Sequence, residues 1–125
     1  MLASWGIFGN VLINFRRSIV KFHVKNLFAN IPKHADQECF TTLLEKTHCK
    51  IERIVSYGQS SPEGFWYDQA QDEWVLLIQG EAELDVDGQM VRLVTGDYLM
   101  IQAGVRHRVV RTAADTPTIW LTVHC

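Results

Sequence analysis

The chain is poor in the features that announce a function. It has no CxxC pair, no glycine-rich phosphate loop, and no block of like charges. Only three of its 125 residues are proline and three are cysteine. Cys39, Cys49 and Cys125 are odd in number and widely spaced, which excludes a disulfide framework or a structural zinc ribbon and fits free thiols in a reducing cytoplasm. A net charge of −2 and a pI near 6.2 offer no basic footprint for nucleic acid. No uninterrupted apolar run reaches the roughly 20 residues of a membrane span. The uncharged opening, MLASWGIFGNVLINF, is broken by Gly6, Asn10 and Asn14, and Arg16-Arg17 follow it rather than precede it, the reverse of a secretory leader.

What remains is ordinary soluble composition, 47% hydrophobic and 21% charged, enough for one core in one domain. Residues 1–23 read as a loose extension. An added strand or helix, an interfacial segment, and an artefact of an early start stay open as other readings. The domain is expected over 24–125. Within it, VKNLF (24–28) reads as a short strand that Ile31-Pro32 breaks, and Asp36–Lys46 as a short helix with Phe40, Leu43 and Leu44 on one side.

Beyond Cys49 the chain reads as short strands separated by turns. GQSSPEG (58–64) is loop by composition, and Asp87-Gly88 between two alternating runs is a strong hairpin signal. About seven closely spaced strands argue for an all-β sandwich or closed barrel.

Two stretches carry the chemistry, GFWYDQAQDEWVLLIQG (64–80) and GDYLMIQAGVRHRVVR (96–111). Their spacing resembles the two motifs of the cupin superfamily. In the first, Glu73 and Gly80 stand with the expected six residues between them. In the second, Gly96, Gly104 and His107 are in register, and the 15 residues between the motifs suit a short hairpin. The resemblance is to small single-domain cupins of unassigned function, and it implies a double-stranded β-helix, or jelly-roll barrel, with a short helical or irregular segment before it. The His-x-His pair of the family is missing: depending on spacing, its positions hold Tyr67 and Gln69, or Trp66 and Asp68. Gln102 replaces a proline and Arg111 an asparagine.

The resemblance implies a barrel that binds a small molecule, in a homodimer, around a divalent metal held weakly by Glu73 and His107, with a metal-assisted isomerase or dioxygenase-like reaction as the catalytic version. The alternative is a metal-free binding or dimerisation module in which Arg111 or His107 neutralises Glu73. Strand parity puts Val105, His107, Val109 and Arg111 on one face, so Arg111 is expected to enter the pocket with His107. Tyr67 and Gln69 are the next ligand-contact candidates. Trp66, Trp74, Trp120, Met90, Met100 and His124 read as packing residues.

Overall fold

Residues Glu73–Gln79 alternate a buried Glu73, Val75 and Leu77 with half-buried Trp74 and Leu76, the period of a strand with one face against a core. The same logic builds the rest of the domain. A computed structural model describes residues 4–8, 11–15 and 20–125, the first two stretches as strand backbone only. Ten strands follow in chain order: β1 (Ser4–Phe8), β2 (Val11–Phe15), β3 (Cys39–Lys46), β4 (Cys49–Ser56), β5 (Glu73–Gln79), β6 (Glu81–Val86), β7 (Gln89–Val94), β8 (Tyr98–Ile101), β9 (His107–Thr112) and β10 (Thr118–His124). No helix occurs among the described residues.

Two antiparallel sheets face each other, one ordered β3-β4-β10-β5-β8 and the other β7-β6-β9. Their inner faces share one apolar cluster, with Val75, Leu77, Ile101 and Trp120 from the larger sheet and Ala82, Leu84 and Leu93 from the smaller. Burying each leucine stabilises the sandwich by roughly 2 kcal/mol. The β5–β8 ladder also extends into the turn between β7 and β8. Leu77 N–H donates to the Asp97 carbonyl at 2.9 Å, and Gly96 N–H donates to the Leu77 carbonyl at 2.7 Å.

The turns follow from residue chemistry. Asp87 and Gly88 both take positive φ, 50° and 85°, as a two-residue hairpin between β6 and β7 requires. Gly80, between β5 and β6, has φ 92°, and a Cβ there would lie 2.6 Å from Thr118 Oγ1 and 2.9 Å from the Thr118 Cα. Conformation and space both demand glycine at this corner.

Two expectations need correction. Asp36–Lys46 is not helical; β3 occupies most of it and pairs with β4 through a turn at Thr47-His48. A register shift between Thr42 and Leu44 marks a bulge, and that extra residue produces the helix-like spacing of Phe40, Leu43 and Leu44. The β-branched Thr41 and Thr42 favour the strand. VKNLF is not a strand, because Asn26 bends the chain: its side chain accepts from Phe28 N–H at 2.8 Å and its carbonyl from Ala29 N–H at 3.1 Å. Within the extension at 1–23, β1 and β2 pair antiparallel with each other; positions 1–3, 9–10 and 16–19 lie outside the described residues.

The segment before β3 lies along the outer face of β4. Arg53 reaches from β4 and donates to the carbonyls of Leu27 at 2.7 Å and Ala29 at 2.8 Å. The Tyr57 hydroxyl donates to the Pro32 carbonyl at 2.6 Å.

Gly80→Ala should lower unfolding free energy by about 3 kcal/mol, the sum of a positive-φ penalty and a clash with backbone. Gly88→Ala, whose Cβ meets nothing within 4 Å, should cost only about 1 kcal/mol. Urea denaturation of the two variants checks this, and equal losses would contradict the steric account.

Candidate functional site

Between the sheets lies a cavity of about 130 Å³ whose wall mixes apolar side chains with carboxylates, histidines and an amide. Strand parity delivers its polar residues. Glu73 is the first inward position of β5 and His107 the first of β9, so one comes from each sheet. Their side chains meet across the gap, with His107 Nε2 3.0 Å from Glu73 Oε2. Both are buried, at 6% and 9% exposure.

The protonation state follows from the second ring nitrogen. His107 Nδ1 lies 3.0 Å from the Val105 carbonyl, which can only accept, so Nδ1 carries a proton. Nε2 donates to the Glu73 carboxylate when the ring is the imidazolium, the form that the negative charge of Glu73 favours. Burial is the largest single influence on the His107 pKa and pulls it down. The hydrogen bond to Glu73, the bond to the Val105 carbonyl and the Glu73 charge together outweigh burial, and the pKa is raised above its ordinary 6.5.

Tyr67 lies in the connection between β4 and β5 but is drawn in by an isolated bridge to β9. Its N–H donates to the His107 carbonyl at 2.8 Å and its carbonyl accepts from His107 N–H at 3.1 Å. The Tyr67 ring stacks on the His107 imidazole, with centroids 5.4 Å apart and planes 21° from parallel. Gln69, two residues on, faces the same cavity and accepts through Oε1 from His124 Nδ1–H at 3.1 Å. Tyr67, Gln69, Glu73 and His107 therefore surround one space.

Arg111 does not. It turns to the outer surface of the small sheet, 43% exposed, and pairs with Glu81 at 3.2 Å and Glu83 at 3.6 Å. The cause is a register shift between Glu83 and Leu84: Leu84 pairs with Val109 but Glu83 with Arg111, so Val110 is an extra residue that reverses the alternation. The Arg111 hydrogen bond, followed by that of Arg92, lowers the Glu81 pKa. The cation expected beside Glu73 is His107 alone.

Several cavity residues were not singled out from sequence as site residues. His124 sits on the inner face of β10 with Trp120 and Thr122, and its Nε2 lies 3.8 Å from Glu52. Trp120 Nε1–H donates to Ser56 Oγ at 3.1 Å, and the Ser56 hydroxyl donates to Glu38 Oε2 at 2.6 Å. The inward parity of Trp120, Thr122 and His124 is a usable signal. Nothing local points to Glu38, which precedes a strand that reads as helix.

A divalent metal of the kind the motif resemblance implies needs about three protein donors. Glu73 and His107 satisfy each other, and the Gln69 oxygen is engaged by His124. Among the described residues, no group of three or more His, Cys, Asp or Glu side chains is placed to hold an ion. The residues do not fit a resident metal.

Residues 54–124 match the family model described as "Cupin domain". A protein of Ralstonia eutropha JMP134 named a "putative mannose-6-phosphate isomerase" is 48% identical, with a TM-score of 0.80 over 82% of this chain and 97% of its own. A cupin superfamily protein of Desulfitobacterium hafniense DCB-2 superposes with a TM-score of 0.68 at 21% identity, covering 88% of this chain and 97% of its own. The Cnp3 cupin domain of Schizosaccharomyces pombe gives 0.66 at 11% identity, over 99% of this chain and 85% of its own. The last two likenesses establish fold alone. No curated protein sequence matches the chain.

Because the folded His107 pKa is raised, its ion pair stabilises fully below 6.5 and is lost as pH rises through the folded value. The stability difference between wild type and His107→Gln, from urea midpoints between about pH 6 and pH 9, should therefore shrink as pH rises. In Glu73→Gln the His107 titration followed by NMR should move to lower pH. An unmoved midpoint would mean that Glu73 does not hold the proton.

Proposed function

We propose that this chain, which belongs to the cupin domain family, binds a small polar organic molecule inside its barrel without a resident metal. The observation that carries this reading is the Glu73–His107 ion pair, buried on the wall of the cavity between the sheets. A buried ion pair is a poor stabiliser beside apolar residues of equal volume, so its presence at a cavity favours recognition or proton transfer over packing. His107 Nε2–H is placed to turn from Glu73 to a ligand oxygen, leaving Glu73 as acceptor. Tyr67 and Gln69 would complete the contacts, one through its ring and hydroxyl and one through its amide. Three free cysteines accord with a cytoplasmic setting.

The name of the R. eutropha protein offers an isomerase acting on a sugar phosphate as a second reading. A phosphate needs a cationic anchor. Arg111, the residue expected to supply one, faces outward, and among the described residues no arginine or lysine lines the cavity.

Self-association is part of the same proposal. β3 is an edge strand that pairs on one side only and exposes Phe40, Leu43 and Leu44. Val20, Phe22 and Val24 alternate along the preceding segment and are also exposed, Val24 to 98%. An exposed apolar edge of this kind is satisfied by a second chain, and a homodimer through β3 accounts for it.

Metal content of the purified protein should be well below one equivalent and unchanged in Glu73→Ala; stoichiometric metal lost in both Glu73→Ala and His107→Ala would overturn the metal-free reading. Sedimentation should show a dimer that Leu43→Lys combined with Leu44→Lys converts to monomer. A wild-type monomer at all concentrations would sink the β3 interface.

A further inference from the structure

We propose that the cavity selects a small organic cation, such as a protonated amine, with Glu38 as its counter-charge and Thr122 as a second polar contact. This rests on the reading of the cavity as a ligand site and specifies the class of ligand.

Three carboxylates line the space, and their partners differ. Glu73 is neutralised by His107. Glu52 has Lys50 Nζ at 3.4 Å and His124 Nε2 at 3.8 Å. Glu38 has only the Ser56 hydroxyl, and no cation lies within ion-pair distance of it among the described residues. That hydroxyl is fixed towards Glu38 because its oxygen already accepts from Trp120 Nε1–H. One Glu38 oxygen, Oε2, is thus engaged, and Oε1 has no partner among the described residues. A carboxylate held in this way is a prepared acceptor for an N–H⁺ donor.

Thr122 is an independent sign of a ligand. It lines the same cavity at 2% exposure, and its Oγ1 has no hydrogen-bond partner among the described residues. An unpaired buried hydroxyl is costly, and a ligand that pairs with it recovers that cost on binding. The surrounding wall suits a cation as well, because Phe40, Tyr67 and Trp120 line it and aromatic faces attract positive charge. The field has already acted on one of these rings: the Tyr67 pKa is raised by burial first, and then by the negative charges of Glu38 and Glu73. An anion entering here meets the same charges with no arginine or lysine on the wall, among the described residues, to offset them.

The test uses four probes near neutral pH: n-butylamine, 1-butanol, butyrate and inorganic phosphate. Each is titrated into the full chain and followed by NMR at the amide and side-chain signals of Thr122, Trp120 and Tyr67. The amine should bind at least about tenfold more tightly than the alcohol, and neither anion should bind. Glu38→Gln, which keeps an acceptor for Ser56, should erase the difference between amine and alcohol. Thr122→Val should weaken the amine several-fold. Equal affinity for amine and alcohol in wild type would overturn the cation preference while leaving the cavity a binding site. Preference for butyrate or phosphate would overturn it and return the sugar-phosphate reading. An amine preference that survives Glu38→Gln would remove Glu38 as the counter-charge. If no probe moves any cavity signal, the binding-site reading falls with the inference.

Discussion

A single polar contact crosses the interior of this barrel on which its chemistry depends. Glu73 belongs to one sheet and His107 to the other, and their bond joins the two inner faces across the cavity. Such a contact is tolerable only if both partners are fully satisfied, since a buried lone carboxylate costs several kcal/mol or takes up a proton. The Val105 carbonyl meets that condition from outside the pair. With one ring proton held on Nδ1 by that carbonyl, Nε2 donates to Glu73 only as the imidazolium, the form that the Glu73 charge favours. The bridge between Tyr67 and His107 then locks the backbone beneath the imidazole, and the stacked Tyr67 ring covers its face.

The cavity wall carries a second polar system separate from the first. It runs from Trp120 through Ser56 to Glu38, and it ends in a carboxylate rather than an ion pair. One side of the cavity therefore holds a balanced pair and the other an unbalanced charge. In the proposed binding site that asymmetry would orient a ligand, with a positive group near Glu38 and a neutral polar group near His107 and Gln69. The family to which the chain belongs dictates the barrel, while these individual substitutions on its inner face decide what the barrel can hold.

Much of this was legible in the sequence because it rests on short-range rules. The Asp87-Gly88 hairpin, the glycine corner at Gly80 and the alternation in Glu73–Leu77 each follow from a few adjacent residues, and the facing of Glu73 and His107 follows from motif spacing. What was not legible comes from bulges. One extra residue near Leu43 made a strand look helical, and another at Val110 turned Arg111 from the cavity to the surface. A bulge leaves no mark in composition, because its cost is met by the partner strand. Glu38 was hidden for a related reason: its role depends on where Ser56 and Trp120 meet, 18 and 82 residues further along. His124 was readable in principle from its parity with Trp120.

The wrap of the N-terminal segment across β4 has a consequence of its own. Arg53 is buried, yet it holds that segment through two peptide carbonyls rather than a carboxylate, and its other contact is the Thr41 hydroxyl of β3. None of these groups changes charge in the range where proteins remain folded, and a guanidinium remains protonated throughout. Hydrogen bonds between a cation and neutral acceptors at contact distance are also screened little by added salt. The strap is therefore indifferent to acidity and ionic strength, while the barrel interior it covers responds to acidity through His107. The molecule thus has an outer attachment that is chemically constant around an inner site that is not, and a change in solution conditions reaches the ligand cavity without loosening the strap.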